Sequence, residues 1–259
     1  MRPISGWHFG KPAYEATLKP LCLEVEKHFT LPTRRLYRYF AGSDDYQLRQ
    51  EPPIGVGTYY RGFHCPRSGR QGLPMYLQEC FFYPLEEFTD IVVSSSDEMA
   101  AFDNLIYIRD NTCTDVTGCV TNYAHELQHF VQHGQTPKLW AVNGALYQNL
   151  ANLEPTALAT DIPSERDAEI KSKRVAEIVF GVDAVRAFAE KQIRLMEDAG
   201  AHNQRGKWVF FRDVSSSTNY DFLADTTRLV EKYKGLIDFG MDVSKPKWWL
   251  EELTASAVH

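Results

Sequence analysis

The sequence contains no run of apolar residues long enough to span a bilayer, so a membrane-crossing helix is not expected. Its first residues, Met1-Arg2-Pro3-Ile4-Ser5-Gly6-Trp7-His8, lack the apolar core of a secretory signal, which points to the cytoplasm. Cysteine is sparse: five residues, at 22, 65, 80, 113 and 119, with no C-x-x-C pair. An odd, unpatterned count suits reduced thiols better than a disulfide framework, although Cys113 and Cys119 are close enough in sequence to bridge. A thiol hydrolase built on Cys65 or Cys80 finds no nucleophile signature around either residue. Positive charge is short as well. Lys and Arg total 28 against 34 Asp and Glu, for a net charge of −6, with the basic residues scattered. That balance argues against a nucleic-acid backbone or an anionic membrane as partner.

There is also no internal repeat, low-complexity tract or long linker, so residues 1–259 are expected to form one domain, with subregions 1–110 and 111–259. A hydrophobic fraction of 44% is enough to supply a sizeable core for a chain of this length. Leu18, Leu21, Cys22, Val25 and Phe29 repeat at helical spacing and predict a helix over 14–29. Short aromatic and β-branched runs at 36–40, 57–65, 75–83 and 91–93, separated by Pro- and Gly-containing turns, predict strands. One more strand is predicted at 104–110. From there the texture is helical, with helices predicted at 116–133, 138–152, 164–180, 182–198 and 218–238. Strands first and helices afterwards indicate an α+β fold, a small sheet packed on a mainly helical C-terminal half.

Within that half, His125-Glu126-Leu127-Gln128-His129 matches H-E-x-x-H. Residues four apart on a helix differ by about 40°, so both imidazoles face one way and can share one ion. Glu126, about 100° round from His125, is placed to act as a general base beside that ion. Val116, Val120, Ala124, Leu127 and Val131 form an apolar stripe, which makes the helix core-packed, and Gly134 stands where it is expected to stop. Three histidines on successive turns, at 125, 129 and 133, span about 12 Å of rise, too far for one ion. His133 is therefore expected at the helix C-terminus, complementing the dipole. The longer metzincin pattern fails, because Gln132 and Gln135 occupy the places of its glycine and third histidine.

A catalytic zinc takes three protein ligands and keeps one position open. The favoured third ligand is Glu165, with Glu169, Glu154 and Asp161 as alternatives. Pro163 and Ser164 look like a helix start, Ser164 as N-cap with Asp167 completing a capping-box-like pair. Helical stepping then puts Glu165 beside the buried face, where a metal would offset the cost of desolvating a carboxylate. A first-turn acid favouring the helix dipole is the other reading of the same residue.

His125-Glu126-Leu127-Gln128-His129 followed by Glu165-Arg166-Asp167-Ala168 resembles the gluzincin metallopeptidases. It is similar in particular to the E-x-x-A signature of ImmA/IrrE-type peptidases and to metallopeptidase domains of phage and mobile elements. The likeness covers about fifty residues. It implies a zincin-like fold and a zinc endopeptidase acting on a protein or peptide substrate. His125, His129 and Glu165 would be the ligands and Glu126 the base. By the same likeness, the strand at 105–110 would bind substrate backbone at a sheet edge. The chain departs from the ImmA/IrrE pattern in its strand-rich front half, its wide gap from His129 to Glu165 and the lack of a helix-turn-helix module. Tyr123, Tyr147, His202 and Tyr220 are chemically able to stabilise an oxyanion, and no spacing selects among them. The competing expectation is a metal-binding sensor or interaction protein that keeps the fold without catalysis. Oligomeric state has no signal in the sequence.

Overall fold

A computed structural model describes residues 5–42, 80–84 and 104–250. The strands expected at 57–65 and 91–93, and Cys65, lie outside the described residues. The fold is mixed α/β and mostly helical, with one small sheet.

Strand β1 (Ser5–Phe9) leads into helix α1 (Pro12–Glu26) and back to β2 (Leu36–Phe40). β1 and β2 run parallel, as a helical crossover allows. β4 (Asn104–Ile108) adds in parallel beside β2, and β3 (Cys80–Pro84) pairs antiparallel with β4, giving the order β1-β2-β4-β3. Every residue of β4 is buried, which fits its position inside the sheet and its unbroken apolar run. β1 escaped the sequence reading because Ser-Gly-Trp-His-Phe is short and has no clean alternation.

Leu36 and Phe40 of β2, Phe82 of β3 and Ile106 and Ile108 of β4 point to one face. There they meet Leu18, Cys22 and Val25 of α1 and Val120, Ala124 and Leu127 of helix α3 (Val116–Gln135). Arg38 lies on this apolar face yet is only 3% exposed, so its charge requires partners. It has them: its guanidinium reaches Glu26 of α1 at 2.6 Å, donates to the Tyr123 hydroxyl of α3 at 2.9 Å and stacks over Trp7 of β1. One ion cluster therefore ties two strands to two helices.

After a short helix α2 (Asp110–Cys113), α3 starts at Asp115, whose carboxylate accepts the Gly118 N–H at 3.0 Å. Helices α4 (Pro137–Leu153), α5 (Pro163–Phe180), α6 (Val182–Asp198), α7 (His202–Asp213) and α8 (Phe222–Tyr233) follow. Among the described residues, two further apolar clusters supplement the main core. One joins α4 and α8 through Leu146, Val230 and Tyr233; the other joins α6 and α7 through Phe188, Trp208 and Phe211. α7 had no place in the sequence reading, because Gly206 interrupts a polar segment. The glycine admits Leu158 closely: a Cβ would lie 2.8 Å from a methyl of that side chain. Gly134 also differs from expectation. It lies inside α3, which runs to Gln135, and its missing Cβ admits Pro32, whose ring would be 2.5 Å away. The glycine marks a close approach, with no role as a cap. No helix among the described residues is long and apolar enough to cross a membrane.

Candidate metal centre

Two helices build the site. α3 carries His125 and His129 one turn apart, 4% exposed each, and α5 brings Glu165 in its first turn. The start of α5 differs from the sequence reading. Its N-cap is Ile162 and Pro163 opens the helix, so Ser164 is helical rather than capping. The Ser164 N–H is instead bound across to Asn143 Oδ1 of α4 at 3.1 Å, and its carbonyl accepts Gln132 Nε2 of α3 at 3.0 Å. Asp167 likewise turns away from Ser164 and accepts from Gln128 and Gln132 at 2.6 and 2.8 Å. These bonds lock the first turn of α5, and with it Glu165, onto α3.

The result is a tight triangle. His125 Nε2 and His129 Nε2 are 3.0 Å apart, and the two Glu165 oxygens lie 3.4 Å from them, one against each ring. One ligand atom from each of the three residues falls within 4.8 Å of the others. A tetrahedral ion bound at about 2.0–2.1 Å separates its ligands by about 3.3 Å. The spacing therefore matches a single small ion.

Hydrogen bonding decides which atoms point inward. Gln132 gives its amide N–H groups to Ser164 and Asp167, which leaves only its oxygen to face His129 Nδ1, at 2.9 Å. His129 therefore donates from Nδ1, which leaves Nε2 as the ring atom turned toward Glu165 and His125. Behind His125, Glu169 Oε1 approaches Nδ1 at 3.2 Å, an ion-pair distance without hydrogen-bond alignment. Glu169 is 2% exposed, and the same Oε1 is matched by Lys207 of α7 at 2.9 Å.

Burial by itself opposes a charged His125, but Glu169 and Glu165 outweigh it and push its pKa up to about 10. Burial equally opposes ionised carboxylates. The two histidines nonetheless hold Glu165 well below the usual range, and Lys207 with His125 lowers Glu169. The field of this cluster favours positive charge between the rings, where a cation would replace a proton.

Other candidates go elsewhere. Glu154 pairs with Lys232 and Tyr233, while Asp161 accepts the Leu158 N–H at 2.8 Å and pairs with Arg166. His133 is in the last turn of α3, as expected, but is buried against Phe82 and Trp140 rather than presented to solvent. Glu126 is 6% exposed, and among the described residues its carboxylate has no ion-pair or hydrogen-bond partner. Of the four oxyanion candidates, Tyr123 is committed to Arg38 and Glu26, Tyr220 donates to Asp225 at 2.5 Å and His202 is exposed. Tyr147 alone among them lines a cavity shared with Glu165. The strand expected to accept substrate as a sheet edge cannot do so: β4 is paired on both sides, by β2 and by β3. Cys22, Cys113 and Cys119 are free thiols, and burial raises the pKa of Cys22 and of Cys119, which makes them poor nucleophiles.

Gln132, Glu169 and Lys207 are the site residues whose parts the sequence reading missed. Gln132 had a signal, since it follows His129 by three residues and shares its helix face. Lys207 had none, because only the packing of α7 brings it to α5. No family model, no curated protein and no solved structure matches the chain.

Proposed function

We propose that the protein is a zinc-dependent metallopeptidase of zincin-like architecture, hydrolysing peptide bonds of a protein or peptide substrate. The observation that carries this reading is the His125–His129–Glu165 triangle, with its spacings of 3.0, 3.4 and 3.4 Å and the His129 Nε2 turned inward by the Gln132 bond to Nδ1. Two imidazoles and one carboxylate are a donor set suited to zinc, with a fourth position left for reaction. A bound zinc ion would supply Lewis acidity, bringing the pKa of a water to about 7. Glu126 would take the proton from the attacking water and deliver it to the leaving amine. Glu169, backed by Lys207, would hold the His125 ring, and Gln132 the His129 ring, in their binding tautomers.

The Glu126→Gln variant tests the reading against a metal-binding protein without catalysis. Zinc content by plasma emission should stay at one per chain, while cleavage of a casein or mixed-peptide substrate should fall by at least about 100-fold. His129→Ala and Glu165→Ala should each lose the metal. Normal zinc content in Glu165→Ala would move the third ligand to another acid and break the triangle as a site.

A further inference from the structure

A cavity of about 330 Å³ opens beside Glu165, between α4, the segment 157–162 and α7. Leu150 and Ala151 of α4, with Ala157, Leu158 and Ile162, supply its apolar wall. The wall is built in advance. Leu158 is pressed against Gly206 of α7 and is held by its N–H bond to Asp161. Lys207 and Gln204 complete the lining from α7. The lysine offers no spare charge, since its ammonium is matched by the buried Glu169 carboxylate at 2.9 Å. An acidic side chain entering here would meet the Glu165 carboxylate, and a basic one would lose its water against aliphatic carbon near Lys207. An apolar side chain does neither and removes its own surface from water.

We propose that this cavity selects an aliphatic or aromatic side chain on a residue flanking the scissile bond, and so makes the enzyme specific for large apolar residues. The proposal rests on the peptidase reading and adds its substrate class. Glu165 belongs to both the donor triangle and the cavity lining, so a carbonyl presented to the triangle would put the side chain of the adjoining residue, about 3.8 Å away along the chain, within reach of the cavity. The volume is near the lower limit for small-ligand pockets, which suits one large side chain and excludes a folded segment.

Amino-acid hydroxamates test this without turnover, because the hydroxamate anchors on the metal and the side chain reports on the cavity. Calorimetric titration of zinc-loaded Glu126→Gln protein with the alanine, leucine, phenylalanine, aspartate and lysine hydroxamates should rank leucine and phenylalanine first, about 10- to 100-fold tighter than alanine. Adding Ala151→Trp or, separately, Ala157→Phe should erase that preference while zinc content and the affinity for alanine hydroxamate persist. Two filled variants guard against one failing to fold. Equal affinity for all five compounds, or a preference that survives both filled cavities, overturns the proposal alone. Failure of every hydroxamate to bind zinc-loaded protein overturns the peptidase reading, which needs an open position on the metal, and the proposal with it.

Discussion

Gln132 illustrates how one uncharged side chain can set the chemistry of a centre it does not enter. Its amide is fixed by Ser164 and Asp167, so its oxygen can only face His129 Nδ1, and the imidazole turns its Nε2 to Glu165. Replacing Gln132 with Met removes the orienting bond while keeping the length and apolar bulk of the side chain. Zinc affinity, measured by competition with a chromophoric chelator, should fall about 10- to 100-fold. Unchanged affinity would mean that the ring is held by packing against Trp140 instead. Arg38 is the other residue whose surroundings dictate its worth. With Glu26 only 15% exposed at its side chain, Arg38→Met would strand a carboxylate among apolar groups. The expected loss is about 3–5 kcal/mol in urea unfolding, and the double variant Arg38→Met/Glu26→Gln should regain part of it.

At the scale of elements, the path of α3 depends on what approaches it. Gly134→Ala would gain at most about 1 kcal/mol of helix propensity, but the new methyl would lie 2.5 Å from Pro32, a clash costing about 1–3 kcal/mol. The clash should win, and a lower melting temperature by calorimetry is the check. α8 meets α5 through Asp225, which pairs with Arg166 and Arg228 and accepts the Tyr220 hydroxyl. Burial works against ionisation of Asp225, yet Tyr220 and Arg228 hold its pKa below the ordinary value. A group depressed on folding stabilises fully above its unfolded pKa of about 3.9 and loses that contribution as pH falls through the folded value. Wild-type protein should therefore lose stability more steeply than Asp225→Asn between about pH 4 and pH 2, as followed by urea midpoints. Parallel slopes would show that the cluster adds nothing to acid sensitivity.

For the whole molecule, the long amphipathic segments were legible and the short or interrupted ones were not. The 182–198 helix was read at its true bounds and α3 within two residues at its end, because amphipathic helices of 17 and 20 residues leave a clear period. Strand order, the parallel crossover at β1 and the double pairing of β4 came from contacts between residues dozens of positions apart, which no local period records. α7 left no period either, since its glycine and its lysine serve partners in other elements. The C-terminal bound of α8 was overestimated because Leu236 continues the apolar spacing of Leu229 and Tyr233, although the helix spans only Phe222–Tyr233 and Leu236 is 68% exposed.

Local chemistry and helical spacing thus dictated that His125 and His129 share one face, since four residues along a helix bring two side chains round by about 40° and up one turn. Glu165 was only a favoured choice among four acids until the packing of α5 on α3 brought it within 3.4 Å of both rings. The placement of Gln132 against His129, of Glu169 and Lys207 behind His125 and of the apolar cavity beside Glu165 belongs to tertiary structure alone. Those contacts join α3 to α4, α5 and α7, and their energy depends on burial and approach angle, quantities that a linear order of residues does not contain.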